Sequence, residues 1–147
     1  MGKIVYTGGT FDLFHSGHVR FLKACRRLAG GEGKVVVALN TDDFIQAYKG
    51  KSPIMSFDER KEVLLGCRFV DSVVPNVGGA DSKPTILQVS PDLIVIGDDW
   101  AKRDYYAQMQ FTQGWLDARL IQLVYVPYTQ GISTTDLKRR IAGLEIN

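Results

Sequence analysis

Five short runs, at residues 4–6, 35–39, 72–75, 93–96 and 123–126, are mostly apolar and rich in valine and isoleucine. A strand buried on both faces needs this continuous apolar character, without polar alternation. Between the runs lie stretches whose apolar residues recur at helical spacing. Val19, Leu22, Cys25 and Leu28 form one such stripe, with Arg20, Lys23 and Arg27 opposite. Ser56-Phe-Asp-Glu59 has the form of a capping box, and the helix it opens takes its apolar face from Val63, Leu64 and Cys67. Residues 83–89, 111–120 and 134–141 read as further helices, whereas Lys49 and Lys51 read as part of a polar loop between helices. Strand and helix therefore alternate along the chain. The expectation is one α/β domain over residues 1–147, with a five-stranded parallel sheet covered by helices on both faces.

In sheets of this kind ligands bind beyond the carboxyl ends of the strands. Four polar segments fall at those ends: residues 8–18, 40–43, 97–100 and 128–135. The first is the most informative. A strand breaks at Gly8 and Gly9 and a helix follows, so free backbone N–H groups and the positive end of a helix dipole face outward, which suits a phosphate. Two familiar phosphate loops do not fit. Gly8 and Gly9 begin no G-x-G-x-x-G fingerprint, and Gly50-Lys-Ser52 has Ile45 where a P-loop needs its first glycine.

His15-Ser-Gly-His18 remains. Two histidines three residues apart share one face of a first helical turn, and the glycine between them lets a ligand approach the backbone. Ring nitrogens can donate hydrogen bonds to phosphate oxygens or carry positive charge as negative charge builds. A zinc site would need further His, Cys or Glu close by, and no such set is evident, so no metal-ligating residues are expected.

The run Gly9-Thr-Phe-Asp-Leu-Phe-His-Ser-Gly-His18 resembles the H-x-G-H nucleotidyltransferase superfamily that includes the cytidylyltransferases. Asn40-Thr-Asp42, Asp58-Glu-Arg60, Arg68-Phe-Val-Asp71, Gly97-Asp-Asp-Trp100 and Gly131-Ile-Ser-Thr-Thr135 extend the resemblance over nearly the whole chain. The last two segments narrow it to the cytidylyltransferase side, most closely the glycerol-3-phosphate cytidylyltransferases. The resemblance implies a Rossmann-like three-layer fold. It also implies in-line attack by a phosphorylated small alcohol, glycerol 3-phosphate above all, on the α-phosphate of CTP, with Mg²⁺ carried by the nucleotide phosphates. An adenylyltransferase acting on a sugar phosphate or phosphorylated cofactor precursor is the alternative, and a non-catalytic nucleotide-binding regulatory domain is another.

By the same resemblance His15, His18 and Lys49 are the catalytic set. Thr10, Phe11, Gly17, Tyr128, Gly131, Ile132, Ser133, Thr134 and Thr135 face the nucleotide. Asp12, Asp42, Lys51, Arg60, Lys83, Asp99 and Trp100 face the acceptor. Independently, Ser133-Thr-Thr-Asp136 has the form of a capping box, with Ile132 and Leu137 placed for a hydrophobic staple. One departure stands out: the family pattern has an arginine where this chain has Tyr128, and a phenol does not replace a guanidinium without loss of charge.

The remaining features argue for restraint. A net charge of +2 is too small to imply nucleic acid. Arg26-Arg27 and Lys138-Arg-Arg140 read as solvated helix faces, and Arg68 and Asp71 as a local ion pair or turn contact. Tyr105, Tyr106, Phe111 and Trp115 read as core or interface. Cys25 and Cys67 sit far apart in apolar helical patterns and read as small buried hydrophobes. No run approaches the roughly 18 residues of a membrane span, and the strand sequence starts too early for a signal peptide. The expectation is a cytoplasmic enzyme whose partners are CTP and a small phosphomonoester, with no nucleic acid and no membrane; the family pattern adds a homodimer.

Overall fold

The computed structural model describes residues 2–98, 104–127 and 129–144. In chain order the elements are β1 (Ile4–Gly9), α1 (Ser16–Ala29), β2 (Lys34–Leu39), α2 (Asp42–Lys49), α3 (Phe57–Leu65) and β3 (Ser72–Pro75). They continue as α4 (Lys83–Val89), β4 (Leu93–Gly97), α5 (Tyr105–Met109), α6 (Gln113–Ala118), β5 (Gln122–Val126) and α7 (Thr134–Ala142). The five strands form one parallel sheet in the order β3-β2-β1-β4-β5. The order reverses between β1 and β4, which puts the switch point, and the crevice it opens, directly above β1.

Both faces of the sheet are covered, as the unbroken apolar strands require. On one face Val5, Val37, Leu39 and Val95 pack under Leu22 and Cys25 of α1 and Leu64 of α3. On the other, Tyr6, Ala38, Ile94 and Ile96 pack against Ile86 of α4, Tyr105 of α5 and Leu116 of α6. Complete burial of a leucine such as Leu22 or Leu64 contributes about 1.5–3 kcal/mol. Tyr105 and Phe111 are core, with Tyr106 and Trp115 packed against them. Cys25 is buried, Cys67 is only partly so, and both are free thiols.

Two helices depart from the expectation. Residues 42–49 form α2, so Lys49 ends a helix instead of lying in a loop. Its boundaries are chemically marked: the Thr41 hydroxyl accepts from the Phe44 N–H, Asp42 and Asp43 occupy the first turn, and Gly50 closes the end with φ 70°. The other, α5, follows the cap made by the Asp104 carboxylate on the Ala107 N–H. The stretch expected to be helical over 111–120 contracts to α6; Thr112 caps its start, and Leu120 beyond its end has φ 55°. The capping box expected at Ser133 is half-formed. Its hydroxyl accepts from the Asp136 N–H, but the Asp136 carboxylate turns to Arg140 at 2.7 Å.

Candidate active site

His15 is the N-cap of α1 and His18 its third residue, and together they close a capping box made of imidazoles. The Gly17 N–H donates to Nδ1 of His15 at 3.0 Å, and the His15 N–H donates to Nδ1 of His18 at 3.1 Å. Each Nδ1 is therefore an acceptor, which fixes both neutral rings as the Nε2–H tautomer. Only Nε2 of each ring is left to act as a donor, a correction to the expectation that either nitrogen could serve. The rings stack at 3.8 Å, and Phe14 and Phe11 flank His18 at 5.4 and 5.2 Å. Burial, and then the neighbouring His15, pull the His18 pKa from 6.5 down to about 4, against a raising pull from Asp12. Burial also lowers the pKa of His15. Both rings are neutral donors near pH 7. Gly17 has a different role from the one expected: a Cβ there would stand 2.8 Å from the His15 ring, and its N–H is already used. The glycine makes room for the cap itself.

Residues 10–13 cross above β1 in a strained path. Phe11 and Leu13 have φ of 51° and 50°, a region unfavourable for residues with a side chain. The strain persists because the loop is over-determined. The buried Asp12 carboxylate accepts from the N–H groups of Leu13, Ile54 and Met55 at 3.1, 2.7 and 2.9 Å. Arg60 is fully buried and donates to the carbonyls of Met55, Thr10 and Asn40 and to the Asp42 carboxylate at 2.6 Å. Asn40 donates to the Thr10 hydroxyl, and Thr134 of α7 donates to the Asp12 carbonyl at 2.9 Å.

These bonds correct three acceptor-facing assignments. Arg60 is a keystone between α3, α2 and the loop, with no exposure through which to meet a phosphate. Asp42 is its partner and also accepts from the Phe57 N–H. Asp12 spends its carboxylate on backbone donors. Lys83 likewise turns away, bonding to the Gln110 carbonyl and pairing with Asp81 at 2.9 Å. Asp71 pairs with Arg26 at 2.7 Å, while Arg68 lies over the Phe69 ring, so the local pairing of 68 with 71 does not form and Arg26 is not merely solvated.

A two-lobed cavity opens over the loop. The larger lobe, about 480 Å³, runs from Tyr6 and Ile96 out to Phe44, Tyr48, Tyr105 and Met109. The smaller, about 260 Å³, lies between His15, Gly17, Gly97, Pro127, Ile132 and Ser133. Gly8, Gly9, Thr10, Phe11, His18, Ile96 and Thr134 line both lobes. Lys49 and Lys51 border the larger lobe, and so does Lys138, whose charged run gave no hint of a site. Among the described residues none of the three makes a salt bridge. Ser133 and Thr134 come to the cavity through the N-terminus of α7. Thr135 and Gly131 line neither lobe; Gly131 instead forms the turn into α7 with φ 85°. Asp99, Trp100 and Tyr128 lie outside the described residues. No group of three or more His, Cys, Asp or Glu gathers as a metal cage among the described residues.

Comparison with known proteins shows the family. A family model described as cytidylyltransferase-like matches residues 6–140. A glycerol-3-phosphate cytidylyltransferase of Bacillus subtilis is 37% identical over 142 residues, covering 97% of this chain and 99% of the relative. The protein of the same description from Staphylococcus aureus is 32% identical, covering 96% of each chain. An FAD synthase of Korarchaeum cryptofilum is 30% identical, covering 98% of this chain and 95% of the relative. Among solved structures, a lipopolysaccharide core biosynthesis protein from Thermoplasma volcanium aligns with a TM-score of 0.68 at 24% identity, over 88% of this chain and all of that one. At that identity it speaks for the fold alone.

Proposed function

The chain belongs to the cytidylyltransferase-like family, and from that premise we propose that it joins CTP and glycerol 3-phosphate to give CDP-glycerol and pyrophosphate. The observation that carries this reading is the pair of neutral Nε2–H donors, His18 on the wall shared by the two lobes and His15 in the smaller one, with three lysines around the larger lobe that make no salt bridge among the described residues. Two anionic substrates must be brought together there, which is costly unless cations converge on them. In this reading CTP occupies the smaller lobe, its triphosphate running past His15 and His18 to the N-terminus of α7 at Ser133. The acceptor phosphate lies in the larger lobe beside Lys49.

An oxygen of the acceptor phosphate attacks the α-phosphorus. The bond from that phosphorus to the bridging α–β oxygen breaks in line, and the electron pair leaves with pyrophosphate. The attacking oxygen of a phosphate dianion carries no proton, so the site needs no general base. The chain's contribution is alignment and charge stabilisation: His15 and His18 donate to phosphate oxygens, and Lys49 bridges the two substrates. Mg²⁺ would neutralise triphosphate charge and be carried by the phosphates themselves, as the Asp12 carboxylate is already spent on backbone donors.

A homodimer and a cytoplasmic site of action belong to the same reading. In support of the first, an apolar groove lined by Leu13, Phe14, Met55, Val63, Leu137 and Ile141 lies beside the site, with Val63 and Ile141 exposed. In keeping with the second, none of the described helices is long and apolar enough to cross a membrane.

Pyrophosphate release measured across nucleoside triphosphates and phosphomonoesters tests the proposal. Turnover specific to CTP and glycerol 3-phosphate is expected. Turnover with ATP alone moves the chain to adenylyl transfer, and nucleotide binding without turnover makes it a non-catalytic module.

A further inference from the structure

Tyr6 lies on β1 with 1% of its surface exposed, its ring packed among Ile94, Ile96 and Ile86. Its hydroxyl points along the strand toward the carboxyl edge of the sheet, where a Cβ on Gly8 would stand 3.4 Å from it. There it meets the floor of the larger lobe. Among the described residues this hydroxyl has no hydrogen-bond partner, and burial alone raises its pKa, so it stays protonated.

Several other polar side chains of the lobe are engaged. The Ser82 hydroxyl donates to the Met109 carbonyl, the Asn76 amide donates to Asn40 and Gly79, and the Tyr48 hydroxyl donates to Gln108. The Tyr6 hydroxyl is not sealed in the core: it opens on the lobe, where its donor is available to whatever fills that space. The lobe also has a direction. Lys49 and Lys51 border it near Ser52 and Pro53, whereas its floor is Tyr6, Ala38 and Ile96, with no formal charge. A phosphomonoester that sets its phosphate by the lysines must send its neutral end toward Tyr6.

Resting on the reading of this site as a cytidylyltransferase, we propose that Tyr6 is a specificity-determining residue whose hydroxyl recognises an alcohol group on the carbon skeleton of the acceptor. The acceptor class is then a phosphorylated polyol with a free hydroxyl distal to its phosphate. Tyr6 takes no part in bond making. It selects what is held.

The test compares the wild-type protein with Tyr6→Phe on two acceptors, glycerol 3-phosphate and the hydroxyl-free propyl phosphate. Kinetics are read at saturating CTP, and acceptor binding is measured by calorimetry. The variant should bind glycerol 3-phosphate about 3- to 10-fold more weakly, the effect of one neutral hydrogen bond. Propyl phosphate should be handled equally by both proteins, the KM for CTP should not move, and the melting temperature should stay the same or rise. An unchanged affinity for glycerol 3-phosphate overturns the proposal, as does an equal loss on propyl phosphate. A fall in melting temperature with unchanged acceptor affinity also overturns it, since the hydroxyl would then have an internal partner. If the wild type uses a different hydroxyl-bearing phosphomonoester, the substrate reading fails separately. Tyr6 is then judged by the same comparison on that acceptor and its deoxygenated form. Absence of binding by any such phosphomonoester overturns both.

Discussion

His15 and His18 stack at 3.8 Å, and each spends its Nδ1 on a backbone N–H of the first turn of α1. Cap and donor pair are therefore one object. The same ring that ends the helix presents its other nitrogen to the cavity, so orienting the donor needs no further residue.

Substitutions that mimic one ring nitrogen at a time separate these duties. His18→Asn keeps an acceptor near Nδ1 and loses the Nε2 donor, whereas His18→Gln places an amide near Nε2. We expect His18→Asn to melt within about 1 kcal/mol of the wild type, the size of a cap, yet to lose at least 100-fold in kcat. His18→Gln should retain more activity than the Asn variant. Equal activity in the two variants would sink the assignment of Nε2 as the working atom.

The pH dependence of stability follows from the depressed His18 pKa. The folded state favours the neutral ring, so between 6.5 and about 4 the unfolded chain binds more protons. The benefit is complete above 6.5 and is lost as pH falls through that window, with His15 acting in the same direction. Allowing for partial solvent access, the loss attributable to His18 is on the order of 2 kcal/mol. Denaturant melts at pH 7 and pH 4.5 should show the decline in the wild type and a shallower one in His18→Gln.

Arg60 should behave as a structural residue. Arg60→Met leaves the carbonyls of Thr10, Asn40 and Met55 and the Asp42 carboxylate without their donor. The Asp42 side chain is 44% exposed, so the cost comes mainly from the carbonyls that lose a charged donor, about 1.5–3 kcal/mol for each such hydrogen bond. Chemical denaturation should show that loss. Restoration of the wild-type midpoint by saturating acceptor alone would instead argue that Arg60 faces the acceptor.

Lys49 and Lys138 border the larger lobe without carboxylate partners among the described residues and should differ in consequence. Lys49→Ala should lower kcat/KM by about 100-fold or more through loss of transition-state charge stabilisation. Lys138→Ala, one turn into α7, should raise KM for the acceptor several-fold with kcat nearly intact. Steady-state kinetics with each substrate varied in turn distinguishes the two patterns.

Much of this was legible in the residues because it is local. Valine-rich runs specify buried strands, and Gly8 to His18 declares a strand, a turn and a capped helix within one short stretch. Helix α2 is hard to read from the residues although Thr41, Asp42 and Gly50 mark its ends, because its polar first turn continues the polar segment that follows β2. What could not be read was who pairs with whom across the fold. Arg60 meets Thr10 from 50 positions away and Asp71 meets Arg26 from 45. A charged residue assigned to a ligand and one buried as a keystone look identical until the sheet brings their partners together. Lys138 shows the reverse: a residue in a basic run on a short helix reaches the cavity only because Thr134 ties that helix to the Asp12 carbonyl.

The two lobes share a wall made of Gly8, Gly9, Thr10, Phe11, His18, Ile96 and Thr134. On the proposed occupancy a change there is felt by both tenants at once, so the partition cannot be remodelled for one substrate without disturbing the other. The far sides of the larger room, Tyr6 beneath it and α2 and α5 around it, touch one tenant only. New acceptors can be sought by rebuilding those sides while the party wall stays as it is.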